Sequence, residues 1–288
     1  VWSRQMAVIN TNTGSLYAQQ AMNTNARGLS TVMQQLSTGK RINNAVDDVA
    51  GMAISTRLTS QIRGLNQAVR NTNDGISLIQ TAEGATDQVT NMLQRMRELA
   101  VQASNDANNT SDRSYLDLEF QQLTSQIDNI ANYTQWNGSN VLNKTNSSEA
   151  GRSGVFTFQV GANSGQTISI TLDNMTTESG KGVLSNIAGN NITGTSSSSA
   201  ALGVIISALD TISYARSNMG AVISRLQFTS DNLANVSAKA QESRSRIEDT
   251  DYSLATTELA KRNIIQQAAQ AMLAQANQAP QLVLQLLR

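Results

Sequence analysis

The sequence predicts a mainly α-helical chain, with long coiled-coil-like helices on either side of a small β-hairpin region. Three observations carry that prediction. Apolar residues alternate at intervals of four and three over long stretches, the seam of a coiled coil or long bundle. The single proline is Pro280, so no proline interrupts a helix before it. Glycine and serine gather between about Gly138 and Gly203, where the period changes to the two-residue alternation of strands.

Val1 to Gln5 precede Met6, which reads as a natural start, and are set aside as an extension. Residues 6–46 form an N-terminal helix with the stripe Val8, Ile9, Leu16, Met22, Leu29, Val32, Met33, Leu36 and Ile42. Residues 47–145 make two antiparallel helices of a rod domain. The first runs from Asp47 or Asp48 to about Ser104 on Leu58, Ile62, Leu65, Val69, Thr72, Ile76 and Ile79, with a bend expected at Gly64, Gly75 or Gly84. Some fifty helical residues span on the order of 75 Å, long for a globular domain. The polar turn Asn105 to Arg113 ends it, and Ser111 or Asp112 is the expected N-cap of a helix on Leu116, Phe120, Leu123, Ile127 and Ile130. Residues 146–200 hold the hairpin and a variable loop region. Phe156, Phe158 and Val160 face Ile168, Ile170 and Leu172 across a GANSGQ turn, and Ser196 to Ser199 read as a flexible surface loop. The four–three spacing returns on Ile205, Leu209, Ile212, Arg216, Met219, Ile223, Leu226, Ser230 and Leu233, giving a helix over 201–244. Residues 245–288 supply the last helix, with Leu259, Ile265, Met272 and Ala276 on its apolar side and an apolar end at Leu286 and Leu287.

Composition narrows the function. Lys+Arg and Asp+Glu both number 21, so no basic excess points to nucleic acid or an anionic membrane. No stretch approaches the ~20 apolar residues of a membrane span. With no Cys and no His, disulfides, thiolate and imidazole chemistry and Cys/His metal sites are excluded. The carboxylate pairs Asp47–Asp48 and Asp249–Asp251 lack calcium-loop spacing and read as helix caps or ion-pair partners. No phosphate loop, cofactor motif or catalytic constellation is visible, so an enzyme is the weakest reading.

Aromatics are only 4% of the chain. The terminal helices therefore carry apolar stripes with little bulk. At roughly 25 cal/mol per Å², two such helices alone would barely offset their ordering entropy. Periodicity leaves open whether their stripes are satisfied within one chain or by further copies. The second alternative predicts ends that order on assembly, through Leu16, Leu29, Leu36, Ile42, Leu259, Ile265, Met272, Leu286 and Leu287.

Several long blocks bear on that choice. LSTGKRINNAVDDVAGMAISTRL (Leu36 to Leu58), GLNQAVRNTNDGISLIQTAEGA (Gly64 to Ala85), LQRMRELAVQASN (Leu93 to Asn105), FQVGAN (Phe158 to Asn163), SRIEDTDYS (Ser245 to Ser253) and LAQANQAPQLVLQLLR (Leu273 to Arg288) stand in this order. Together they resemble the terminal signatures of bacterial flagellins, over roughly 6–140 and 200–288. The resemblance implies a self-assembling filament subunit for motility, with paired terminal helices in the filament core. It also implies an extracellular location reached by flagellar type III export without a signal peptide. The implied partners are copies of the chain, an export chaperone that holds the C-terminal helix, and hook-associated proteins. Flagellins seen by the animal Toll-like flagellin receptor present residues that match Gln94, Arg95, Leu99, Gln102 and Glu119 here. Leu99 is expected to fill a stripe. A hook–filament junction protein and a flagellin-like cell-surface binding protein are the alternatives, and the full C-terminal block favours flagellin. No clustered aromatics in the central sequence suggest a sugar platform.

Overall fold

The computed structural model describes residues 11–143, 154–177 and 182–286, with side chains described as far as residue 278. The extension 1–5 and Leu287 lie outside the described residues, and Leu286 is placed only as backbone. Among the described residues five helices run along the chain: α1 (Thr13–Thr38), α2 (Val49–Ala103), α3 (Thr110–Tyr133), α4 (Thr195–Glu248) and α5 (Tyr252–Leu286). Four short strands lie between α3 and α4: β1 (Gln135–Trp136), β2 (Ser139–Asn140), β3 (Val155–Gln159) and β4 (Thr167–Thr171). The chain divides into two compact units, Val1–Ser60 with Lys239–Arg288, and Gln61–Ala238.

The unit of residues 61–238 has a thick core. Leu93, Met96 and Leu99 from α2, Phe120 and Ile127 from α3, and Ile205, Ile212 and Met219 from α4 are buried together. Each such side chain removed from water contributes about 1.5–3 kcal/mol. The α2–α3 turn is short, and Arg95 Nε lies 2.9 Å from Glu119 Oε1, which fixes an antiparallel pair. Arg216 interrupts the apolar stripe of α4 without being stranded, for its guanidinium reaches Asp87 at 3.1 Å on α2.

Helix α3 is capped at Asn109, two residues before Ser111 and three before Asp112. Asn109 accepts from the Asp112 amide at 2.8 Å, and Asp112 accepts in return from the Asn109 amide, a reciprocal capping box. Asp112 is thus the third helical residue and not the cap. The glycines of α2 do not end the helix, which is continuous from Val49 to Ala103. A Cβ on Gly75 would lie 3.0 Å from the Phe158 ring, so this glycine makes room for the hairpin.

The expected hairpin is present, and its register sets Phe156 opposite Ile170 and Phe158 opposite Ile168. A second hairpin, β1–β2, was not foreseen. Its signal was present in Asn137-Gly138, which take φ of 49° and 78°, the left-handed pair a tight two-residue turn demands. The segment after β4 is pinned to α3 by carboxylates. Asp128 accepts from the Thr177 amide at 2.7 Å and Asp117 from the Ile192 amide at 2.8 Å, so Met175, Leu184, Ile187 and Ile192 stay buried.

Two expectations need correction here. Ser196 to Ser199 are not a loop but the first turn of α4. The buried Ser198 hydroxyl donates to the Gly194 carbonyl at 2.8 Å, and Ala201 one turn on enters the core, so small polar residues satisfy themselves inside the fold. One window of α4 also reaches a mean hydropathy of 1.3, long and apolar enough by composition to cross a membrane. Its helix instead buries Ile205, Ala208 and Ile212 in this core.

The other unit contains α1 and α5 with the start of α2 and the end of α4. Helix α1 stops at Gly39, whose φ of 70° is the left-handed cap and whose amide closes on the Gln35 carbonyl. The predicted helix over 6–46 therefore ends at Thr38, and residues 39–48 form a connector. Helix α5 begins at Tyr252 and continues through Pro280 to Leu286, within the expected helical region 245–288.

Candidate assembly surface

Helices α1 and α5 lie antiparallel along a narrow polar-apolar seam. Asn12, the N-cap of α1, accepts from the Ser15 amide at 3.0 Å and donates through Nδ2 to the Ala276 carbonyl at 2.7 Å. Asn25, buried in the middle, donates to the Arg262 carbonyl at 2.9 Å. At the other end the Tyr252 hydroxyl donates to the Leu36 carbonyl at 3.3 Å. The three contacts set one register. Gly28 completes it: a Cβ there would sit 1.8 Å from an Arg262 guanidinium nitrogen, so the glycine leaves a groove for that side chain, which pairs with Glu258 at 3.0 Å.

Apolar burial in the seam is thin. Val32 and Ala255 are buried and Met22, Leu29, Leu36, Leu259 and Leu273 half-buried. Other large apolar residues point away from it. Leu16 is 57% exposed and Met272 65%, and Tyr17, Met33, Leu254, Ile264 and Ile265 are also exposed. Of the residues singled out in the sequence, Leu29, Leu36 and Leu259 belong to the intramolecular seam. Leu16, Ile265 and Met272 are exposed outside it. Ile42, at 5% exposure, packs beneath the start of α2, where a Cβ on Gly51 would lie 2.6 Å from its Cδ1.

The connectors at the two inner ends of the pair meet. Lys40 and Asp249 form an antiparallel bridge, with the Arg41 amide donating to the Glu248 carbonyl at 2.6 Å and the Thr250 amide to the Gly39 carbonyl at 3.0 Å. Asp48 caps the start of α2 by accepting from the Gly51 amide, and Asp251 caps α5 by accepting from the Ser253 amide. Both carboxylate pairs thus contain a cap.

On the unit of residues 61–238, Gln94, Arg95 and Gln102 are exposed on α2 and Glu119 on α3. Arg95 is held by Glu119 at 2.9 Å and Glu98 at 3.0 Å, and both hydrogen bonds keep its guanidinium firmly protonated. Gln94, Arg97, Glu98, Val101 and Gln102 line an open depression of about 540 Å³. Leu99 fills the core as its spacing predicted, at 1% exposure, so it supports this face without belonging to it.

Comparison with known proteins places this arrangement. The family described as the bacterial flagellin N-terminal helical region matches residues 9–147, and the bacterial flagellin C-terminal helical region matches residues 202–287. The flagellin of Halalkalibacterium halodurans is 45% identical over 281 residues, covering 98% of this chain and 100% of that protein. The flagellin of Bacillus subtilis is 38% identical over 302 residues, covering 97% of this chain and 99% of its own length. A solved flagellar hook-associated protein from Vibrio parahaemolyticus shares the fold at a TM-score of 0.59 and 17% identity, over 70% of this chain and 100% of that one. With both terminal regions matched and full-length relatives well above a third identical, the chain belongs to the bacterial flagellin family.

Proposed function

We infer that this chain is a structural subunit of the bacterial flagellar filament, working outside the cell, and that the open face of its α1–α5 pair is the surface on which copies join. The observation that carries the second part is how the apolar residues of the terminal helices are divided. Some close a polar-apolar seam within the chain. Leu16, Tyr17, Met33, Ile264, Ile265 and Met272 are left outside it, in water. A pair with so little buried between its helices gains from further apolar partners. The same face suits an export chaperone before assembly and hook-associated proteins at the filament's base, since all would cover the same apolar residues.

The test is Ile265→Asp combined with Met272→Asp. Both side chains are exposed, so the soluble chain should keep its helix content by circular dichroism, while electron microscopy after salt-induced assembly should find no filaments. Normal filaments from this variant would sink the assignment.

The face of Gln94, Arg95, Gln102 and Glu119 is proposed as the contact for an animal flagellin receptor. The pre-formed Arg95–Glu119 pair beside an open depression supports it. Arg95→Ala should lower receptor signalling in reporter cells by about tenfold, the worth of a charge-assisted hydrogen bond, and an unchanged response would remove this reading.

A further inference from the structure

We infer that Glu248 is a latch that closes the two connectors of the terminal helix pair on one another, so that α1 and α5 leave a single node in a fixed register; the role of this node in assembly rests on the function proposed above. Glu248 is the last residue of α4, and two separate segments converge on it. Its Oε1 lies 2.5 Å from Lys40 Nζ in the connector after α1. Its Oε2 accepts from the Ser55 hydroxyl on α2, also at 2.5 Å. Its carbonyl accepts from the Arg41 amide at 2.6 Å, and the Arg41 guanidinium donates to the neighbouring Ile247 carbonyl at 2.7 Å. The side chain is 14% exposed, so both oxygens are committed and largely shielded.

The other acids nearby are engaged locally. Asp47 accepts from the Asn43 and Asn44 amides, Asp48 caps α2 while facing Arg41 at 3.8 Å, Asp249 accepts from the Ser245 hydroxyl, and Asp251 caps α5. The cations facing the node are Lys40 and Arg41 from the connector and Arg244 on α4, whose guanidinium rests on the Thr59 hydroxyl at 3.3 Å. Glu248 alone of these carboxylates reaches across the sequence, 193 residues to Ser55. A carboxylate that accepts two strong bonds from distant segments is a joint, because losing either partner leaves the others without a common acceptor.

The full-length soluble chain tests this by tryptic cleavage after Arg41, followed by mass spectrometry. Glu248→Gln keeps the size and removes the charge. It should speed cleavage about tenfold, as loss of a charge-assisted bond implies. A covalent substitute supplies the control. Lys40 and Asp249 occupy a non-hydrogen-bonded antiparallel position, where Cα atoms sit about 4.5 Å apart, within disulfide range. In the Glu248→Gln background, Lys40→Cys with Asp249→Cys should be cut slowly when oxidised and fast when reduced. Equal cutting of the two redox forms, or an unchanged rate in Glu248→Gln alone, would overturn the latch. Cleavage is read on unassembled chain, so it is independent of the filament. Assembly is read separately, where Glu248→Gln should raise the critical concentration about tenfold. Fast cleavage with an unchanged critical concentration would leave the joint standing and overturn its part in assembly.

Discussion

The two units of this chain use the same helical period to different ends. In residues 61–238, every one of the largest fully buried side chains is found, among them Phe120, Leu93, Met96 and Ile205. In the other unit, the α1–α5 seam is built on asparagine, glycine and an arginine stem beside few buried apolar residues, and Leu16, Tyr17, Met33, Ile264 and Met272 are left exposed. The first arrangement is a core that needs no partner. The second spends polar contacts on register and leaves apolar surface for something else. The difference shows that a heptad stripe reports burial somewhere, and the polar residues beside it report whether that burial is within the chain.

The largest effect should come from breaking the thick core. Phe120→Ala removes a side chain with no exposed surface, and should cost about 3–5 kcal/mol in denaturant unfolding of residues 61–238. Val32→Ala, the corresponding truncation in the α1–α5 seam, should cost under about 1.5 kcal/mol, because the surrounding seam is thin and can relax. Similar losses in the two units would mean that the seam is a true core and the contrast drawn here is wrong.

A smaller effect separates stability from specificity. Asn25 is buried and gives its amide to the Arg262 carbonyl. A polar residue in a helical seam fixes register at a cost in stability. Asn25→Leu should therefore raise the melting temperature of the α1–α5 pair or leave it unchanged, by up to about 1 kcal/mol. The filaments it forms should be irregular, as helical image analysis would reveal. Lower stability with regular filaments would contradict a register role.

Acid should act on the two units unequally. The Lys40 hydrogen bond, then that of the Ser55 hydroxyl, holds the Glu248 carboxyl below its usual value. A depressed carboxylate stabilises the fold above the unfolded pKa of about 4.3, and that contribution is lost as pH falls through the lower folded value. Hydrogen exchange around residues 39–60 and 239–250 should therefore rise below about pH 4. In Glu248→Gln the same amides should exchange faster already at neutral pH, with a flatter acid response. An identical pH profile in wild type and variant would remove Glu248 as the group responsible.

Much of the first unit described was legible in the sequence, and less of the second. The α2 and α4 periods, the β3–β4 hairpin and the burial of Leu99 follow from spacing, because their partners are continuous apolar surfaces. Ser196 to Ser199 misled because serine composition suggests solvent, whereas Ser198 closes on its own backbone. On α5 the sequence placed Leu259, Ile265, Met272 and Ala276 on one apolar side, yet Leu259 and Ala276 are half-buried while Ile265 and Met272 are exposed, and Arg262 joins the seam through Asn25. Period cannot tell the intramolecular face from the open one when a helix has two. Glu248 sat unremarked in a charged run, since its role arises only when Lys40 and Ser55 arrive from the far end of the chain.

The smallest effect gives the sharpest comparison, because it places the same substitution in both units. Gly84 lies within α2 with nothing inside 4 Å of an added Cβ. Gly84→Ala should stabilise the chain by about 0.5–1 kcal/mol, from helix propensity and a less flexible unfolded state. Gly28 lies within α1, where the same methyl would meet the Arg262 guanidinium at 1.8 Å. That guanidinium is the far end of a flexible side chain, so it can swing aside, but only by giving up the groove and its pair with Glu258. The propensity gain and the lost packing are of similar size, and Gly28→Ala should be neutral within about 0.5 kcal/mol in thermal unfolding of the soluble chain. Equal gains at both glycines would show that Arg262 does not depend on the groove, and that the seam's register rests on Asn12, Asn25 and Tyr252 alone.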